Sequence, residues 1–267
     1  LPTDLDKSVG IFITMNTLLL NDTSDYHNGC VQVVKSYNFV QSIKTKDVDQ
    51  IQYIDYSQYN KVILNGEGTM HNSSPTALKF LRALHRAQTH GCITEMRNSV
   101  WQNMPKSSID ALVNCNKVTV RESFSQLELR RKHGIESTVE PDRSMLIDVP
   151  FEQYEYIHVY RGQYVDLTRK YNDYPRIDIF NQSWEEIVNR LRHADLLITG
   201  RHHEMYAAIK ARCKFIVSDG NTWKNRALLS MFSIPMGLSV DETLGSKYDS
   251  NFKDLFDWCN NESSSSL

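Results

Sequence analysis

Lys61-Val62-Ile63-Leu64-Asn65-Gly66-Glu67-Gly68-Thr69-Met70-His71 passes from a short apolar run into two glycines that flank a carboxylate. A β-branched run ending in Gly-x-Gly reads as a buried parallel strand that delivers a tight loop at its carboxyl end, where open α/β sheets bind ligands. Glu67 is therefore a candidate active-site carboxylate. Gly66 and Gly68 leave the backbone exposed to a substrate, and His71 follows closely behind. A plain glycine turn with Glu67 facing water is the competing reading. Thr199-Gly200-Arg201-His202-His203 follows a second apolar strand in the same manner, and two strand-end loops of this kind suggest one shared cleft.

Around these loops, strand-like and helix-like segments alternate. Val9 to Leu20 predicts a first buried strand, Asn21 to Gly29 a polar loop, and Cys30 to Ile43 a helix. Pro75 suits a first helical turn, and Leu78, Leu81, Leu84 and Ala87 recur at helical spacing through Thr89. Cys92 to Met96 predicts a strand, Ser107 to Asn114 a short helix, Lys117 to Val120 a strand, and Ser123 to His133 a helix capped by Ser123 and closed by Gly134. Beyond an acidic, aromatic stretch around Pro150, strands are expected at Tyr156 to Tyr160, Ile177 to Phe180, Leu196 to Thr199 and Phe215 to Ser218. Helices are expected at Trp184 to His193, His202 to Ala211 and Thr222 to Met231. This alternation implies α/β architecture with mostly parallel sheets. The expected division is residues 1–149, residues 150–259, and a frayed Asn/Ser-rich tail at 260–267.

A length of 267 residues accommodates two such domains, and 40% hydrophobic with 23% charged residues is ordinary for a globular protein. A formal net charge of −2 supplies no overall attraction to nucleic acid or to an anionic membrane, so anion binding has to be local. No run is long enough for a membrane-spanning helix. The five scattered cysteines lack C-x-x-C spacing, which argues against a disulfide framework or a zinc site and fits a reducing cytoplasm. Sequons at Asn21, Asn72, Asn181 and Asn261 carry little weight in an Asn- and Ser-rich chain. The chain begins at Leu1, which leaves open whether it belongs to a larger, multidomain enzyme.

Several constellations carry possible chemistry. At Thr199-Gly200-Arg201-His202-His203-Glu204 a strand hands over to a helix, so backbone N–H groups and the helix dipole face whatever binds there. Arg201 suits bidentate contact with a phosphate or carboxylate, and an adjacent histidine suits donation to a leaving phosphate oxygen; His202 and His203 as mere helix caps are the alternative. Val139-Glu140-Pro141-Asp142-Arg143-Ser144 places Asp142 at a strand end, with Arg143 as a further charge for an anionic donor, although Pro-Asp turns are also common surface devices. Glu67 and Asp142 on neighbouring strand ends would divide a glycosyl transfer between nucleophile and proton-transfer group. Arg121, at the rim before a helix, is placed to meet a substrate carboxylate. Tyr26-His27-Asn28-Gly29-Cys30 offers His27 as acid, base or donor, and Gly29 for close backbone approach. No P-loop, dinucleotide fingerprint, nucleophile elbow, zinc motif or Asp-x-Asp pair occurs, so neither a cofactor nor a metal is expected.

Gly66-Glu67-Gly68-Thr69-Met70-His71, Val120-Arg121-Glu122-Ser123-Phe124-Ser125, Pro141-Asp142 and Leu197-Ile198-Thr199-Gly200-Arg201-His202-His203, in that order, resemble the landmarks of the polysaccharide pyruvyl transferase family. The resemblance spans Val9 to Met231. It implies two Rossmann-like domains facing one another as in GT-B glycosyltransferases, with the active site between them. The carboxylate between the glycines departs from the Gly-Gly-Gly form of many pyruvyl transferases and is closer to the related retaining β-Kdo glycosyltransferases. By that resemblance Asp142 matches a nucleophile forming a sugar adduct, Glu67 handles the acceptor proton, and Arg201 and His202 face the phosphate of a CMP donor. His203-Glu204 and the region from Pro150 to Pro175 depart from the family pattern. The implied activity is transfer of a Kdo-like acidic sugar from a CMP donor to a glycan or lipid-linked glycan in surface polysaccharide assembly, at the inner face of the membrane through partners. The alternatives are formation of a pyruvate ketal from phosphoenolpyruvate, and a binding module that has lost its chemistry.

Overall fold

Two parallel sheets carry the chain in the computed structural model, which describes residues 16–163 and 169–265. The first is six-stranded, in the order β2-β1-β3-β4-β5-β6. Its strands are β1 (Thr17–Asp22), β2 (Gln41–Lys44), β3 (Lys61–Glu67), β4 (Ile93–Ser99), β5 (Lys117–Val120) and β6 (Thr138–Val139). β1 and β3 are buried almost throughout because helices cover both faces, which is why they read as uninterrupted apolar runs. Helices α1 (Asn28–Lys35), α2 (Pro75–Thr89), α3 (Asp110–Val113) and α4 (Ser123–Glu128) belong to this unit. From β1 the chain steps outward to β2 and then returns to the other side of β1 as β3. The strand order therefore reverses between β1 and β3, and the crevice at their carboxyl ends is the usual binding place of a doubly wound sheet.

The second sheet has the order β7-β8-β9, formed by Ile157–Arg161, Ala194–Thr199 and Lys214–Val217. It carries α5 (Trp184–Arg192), α6 (His202–Ala211), α7 (Lys224–Met231), α8 (Val240–Leu244) and α9 (Asp249–Ser265). Met145 and Val149 already pack in its core with Trp184, Leu197 and Phe215. The architecture is thus α/β with two Rossmann-like parallel sheets in a GT-B-like arrangement. No described helix is long and apolar enough to cross a membrane.

The structure corrects several expected elements. The first strand, expected from Val9, lies outside the described residues up to 15 and extends to Asp22 through a bulge at Asn21, whose φ of 63° suits an asparagine. The helix expected from Cys30 to Ile43 ends at Lys35, and β2 takes its place. Ile177 to Phe180 makes no strand; a single bridge joins Arg161 to Arg176, and Asp178 then turns the chain by accepting from Phe180 N at 3.1 Å. Glu122 caps α4 in place of Ser123, accepting from Phe124 N at 2.7 Å and Ser125 N at 3.0 Å. The tail expected to fray from Asn260 continues α9 to Ser265.

The two units meet tightly. Asn28 N donates to Ile179 O at 3.2 Å and Asn28 Nδ2 to Gln182 O at 2.6 Å, bringing the amino end of α1 against the segment before α5. A Cβ added at Gly29 would stand 2.6 Å from His203 Cβ, so α1 and α6 approach this closely only because position 29 lacks a side chain. Gly29→Ala is therefore expected to cost about 1–3 kcal/mol in chemical denaturation. Gly68→Ala, where a Cβ would meet only Lys224 Nζ at 3.7 Å, should stay within about 0.5 kcal/mol of wild type.

Candidate functional site

The loop after β3 owes its shape to Gly66. A Cβ there would lie 2.4 Å from Ser99 Cβ, so only glycine lets β3 and β4 run side by side to their ends. Glu67 then adopts a φ of 34°, a strained left-handed value for a residue with a side chain, and this turns its carboxylate inward. The carboxylate is 5% exposed. It accepts the Thr23 hydroxyl from the end of β1, the Cys30 thiol from α1 at 2.9 Å, and Asn65 Nδ2 at 3.3 Å, while His203 Nε2 stands 3.4 Å away. Three elements converge on one side chain.

A cavity of about 540 Å³ opens beside it, lined from both units. Glu67, Gly68, His27 and Arg121 come from the first sheet, and Gly200, Arg201, His202 and His203 from the second. The cleft expected from the two strand-end loops is therefore present. Gly29 and Gly66 act on it indirectly, through the close approaches they allow. His71 is outside the lining and bridges to Gln102 instead.

Two expected site residues are turned away. Arg143 serves no donor: its Nε and Nη2 bond Ser36 Oγ at 2.9 Å and Ser36 O at 2.7 Å, and its guanidinium lies 4.2 Å from the Tyr37 ring centroid. Asp142 is fully buried behind the cavity wall. Its Oδ2 accepts from Arg121 Nη1 at 2.6 Å, and its Oδ1 caps the turn Arg143–Leu146 by accepting from Ser144 N at 2.9 Å. Burial opposes ionisation of Asp142, His203 and Arg121 favour it, and the net shift is downward. Because burial also holds His203 below its ordinary value, the permanent charge of Arg121 is what keeps Asp142 ionised.

The histidines are desolvated and neutral. Burial, with His203 and Arg201 nearby, brings His27 down to about 2, and burial depresses His202 strongly. Their tautomers follow from their partners. Asn225 Nδ2 donates to Ser218 O at 2.8 Å, which turns Asn225 Oδ1 toward His202 Nδ1 at 2.8 Å. His202 therefore carries its proton on Nδ1 and presents a bare, buried and unpartnered Nε2. In this form it accepts a hydrogen bond and does not donate one to a phosphate, contrary to its expected role. His27 Nδ1 accepts from Cys30 N at 3.3 Å as the cap of α1, so its proton sits on Nε2.

That proton bears on metal binding. His27, Cys30 and His203 place ligand atoms within 4.8 Å of one another, a set suited by type to a soft divalent ion. A ligating histidine normally donates from its other nitrogen, whereas His27 accepts there, and burial with the Glu67 charge holds the Cys30 thiol protonated. Instead, His27 and Cys30 bond one another, the Cys30 thiol donates to Glu67, and His203 Nε2 stands 3.4 Å from that carboxylate without a hydrogen bond.

Sequence reasoning missed Lys224, Thr23 and Asn225. Lys224 lines the cavity at the start of α7, where burial and the Arg121 charge bring it down to about 8. Its signal was positional, since Gly220 and Asn221 follow the carboxyl end of β9 just as Gly200 and Arg201 follow β8.

Removing one partner of a buried ion pair strands the other charge. Arg121→Met should therefore cost about 3–5 kcal/mol in denaturation, and Arg121→Met with Asp142→Leu less than the sum of the single changes. The sign with pH follows from the depressed Asp142 carboxyl: its contribution is complete above the usual 3.8 and is lost only as pH falls through the lower folded value. Asp142→Asn should thus flatten the acid limb of the stability profile.

No family model matches the chain, and no protein of curated function matches it in sequence. Among solved structures it is similar to a UDP-GlcNAc 2-epimerase from Neisseria meningitidis bound to UDP-GlcNAc (10% identity, 94% of this chain and 98% of that one, TM-score 0.56). It is also similar to the S. aureus MnaA–UDP co-structure (9% identity, 93% and 91%, TM-score 0.55). A third is the functionally uncharacterized KP1_0663 from Klebsiella pneumoniae (11% identity, 81% and 88%, TM-score 0.56). At these identities the likeness is one of fold, and the two-sheet α/β architecture is what the chain shares with them.

Proposed function

We propose that the protein is a glycan-modifying transferase that takes an activated, anionic donor. The observation that carries this reading is a single interdomain cavity in which Glu67 faces Arg121, Arg201, Lys224 and the amino end of α6. Cations and helix N–H groups on the second-sheet side suit a donor phosphate. Polar groups from the first sheet, Thr23, Asp25, Thr45 and Lys46, with Tyr26 beside them, suit an acceptor sugar. In the transfer the donor carbon–oxygen bond breaks, the bonding pair leaves with the phosphate, the acceptor oxygen bonds that carbon, and Glu67 takes the acceptor proton. The family resemblance favours a Kdo-like acidic sugar on CMP as donor and a surface glycan as acceptor.

Geometry refines the expected route. Double displacement through Asp142 requires the Arg121 pair to open and the carboxylate to enter the cavity. Direct attack with Glu67 as base requires neither. A second reading is sugar-nucleotide epimerisation, supported by solved structures of this fold that hold UDP-GlcNAc or UDP. Pyruvyl transfer from phosphoenolpyruvate makes the same demand for an anion site.

Binding linkage separates these readings. CMP at about 100 times its Kd stabilises by about 2.7 kcal/mol, which is about 5–10 °C in Tm at this size. A rise with UDP alone points to the epimerase reading, and a rise with phosphoenolpyruvate alone to pyruvyl transfer. Absence of any rise sinks the donor-binding reading. Glu67→Gln is expected to keep the ligand-induced rise and to lower turnover about 10²–10⁴-fold, read by intact-mass or product analysis with CMP-Kdo and an acceptor glycan.

A further inference from the structure

Glu204, in the first turn of α6, has no role in the chemistry above, yet a dense arrangement is built around it. It is fully buried. Its Oε2 accepts Thr199 Oγ1 at 2.5 Å and Gln163 N at 2.9 Å, and its Oε1 has no partner. A Cβ added at Gly162 would stand 2.0 Å from Oε2, so the end of β7 is pressed against this carboxyl group. Both partners lead to the same place. Thr199 Oγ1 accepts Arg201 N at 3.0 Å, and Gln163 Oε1 accepts Arg201 Nε at 2.7 Å. Gln163 is held in turn by Asp178 Oδ1 at 3.0 Å, and the Arg201 guanidinium lies 4.6 Å from the Phe180 ring centroid.

We propose that Glu204 is a positioning residue for the anion site, fixing the main chain and guanidinium of Arg201 through Thr199 and Gln163 while carrying a proton of its own. The inference rests on the reading of the cavity as an anion site. The cost of burying charge supports the protonated form: the two close donors both go to Oε2, Oε1 has no partner within hydrogen-bond distance, and besides those donors only the Ile179 N–H and the Arg201 charge favour the ionised group. Burial, outweighing those bonds and the Arg201 charge, brings the carboxyl up to about 7. The charged side chain near it on α6 is Arg201, and Asp178 is reached through Gln163 from the segment before α5. β7 and β8 present uncharged Gln163 and Thr199, and α1 brings His27, which burial keeps neutral. Deprotonation would add a negative charge beside the guanidinium that grips the donor, so anion affinity falls as pH rises through 7.

The test compares wild type with Glu204→Gln, a neutral isostere that keeps an acceptor oxygen. Inorganic pyrophosphate is titrated calorimetrically at pH 6 and pH 8, and Tm is followed without ligand over the same range. Lys224, which burial brings down to about 8, does not owe that shift to Glu204, so its effect cancels in the ratio of affinities. Wild type should lose about fivefold more affinity than the variant between the two pH values, of the order expected for one charge acting through a partly desolvated site. A carboxyl raised in the folded state gives stability that is full below its unfolded value and lost as pH rises through the folded one. The Tm of wild type should accordingly fall relative to the variant from pH 6 to pH 8. Parallel Tm profiles, or equal affinity slopes with pyrophosphate bound, would overturn the proposal alone. Failure of pyrophosphate to bind wild type at either pH would overturn the anion-site reading and this proposal with it. Should Glu204→Gln fail to fold, Gln163→Ala gives the second measurement, since loss of the Arg201 contact must weaken pyrophosphate about equally at both pH values.

Discussion

The ion pair between Arg121 and Asp142 is the constraint on which the two halves of the molecule depend. Both side chains are withdrawn from water, at 1% and 0% exposure, and neither is tolerable there without the other. Asp142 is also where the chain leaves the first sheet. Its second oxygen caps the turn that carries Met145 into the core of the second unit, where Lys210 Nζ donates to Met145 O at 2.8 Å. One carboxylate thus fixes the crossing point of the chain and one wall of the cavity. The close approach of α1 and α6 at Gly29 and His203 completes the same junction from the other side.

How far this was legible in the sequence depended on whether a feature was local. Buried parallel strands leave unbroken apolar runs, so β3 and β8 and the loops at their ends stood out, and the loops led to Glu67, Arg201 and His203. β2 did not stand out, because an edge strand of Gln, Ser, Ile and Lys buries only Ile43. The last helix was hidden by composition: the Asn and Ser count suggested fraying, while Phe252, Leu255, Phe256 and Cys259 form a helical stripe that the second core buries. Asp142 illustrates a different limit. Its position at a strand end was readable, but the direction of its carboxylate is set by Arg121, twenty-one residues away in sequence. Arg143 turned outward for the same reason, captured by Ser36 and the Tyr37 ring. Lys224 belongs to no motif, and only the placement of α7 brings it to the site.

Desolvation gives the assembled groups their chemistry. A histidine in water is half charged near neutrality; in this cavity His27, His202 and His203 are all held neutral by burial. Neutral rings must place one proton, and backbone or amide partners decide where. The Cys30 N–H assigns it on His27, and Asn225 assigns it on His202. The donors and acceptors that a ligand meets are therefore set by the backbone and amide partners of these rings.

The same desolvation makes the balance of charge decisive. Among the described residues around the cavity the cations are Arg121, Arg201, Lys224 and Lys46, the last paired with Asp25 at 2.8 Å. Against them stand Asp142 and Glu67. The cationic groups gathered there suit an anionic donor in a protein whose formal net charge is −2. An ionised Glu204 beside Arg201 would oppose an anion bound there. A carboxyl group this close to Arg201 suits an anion site best when protonated, and its burial, with two donors directed to a single oxygen, favours that state.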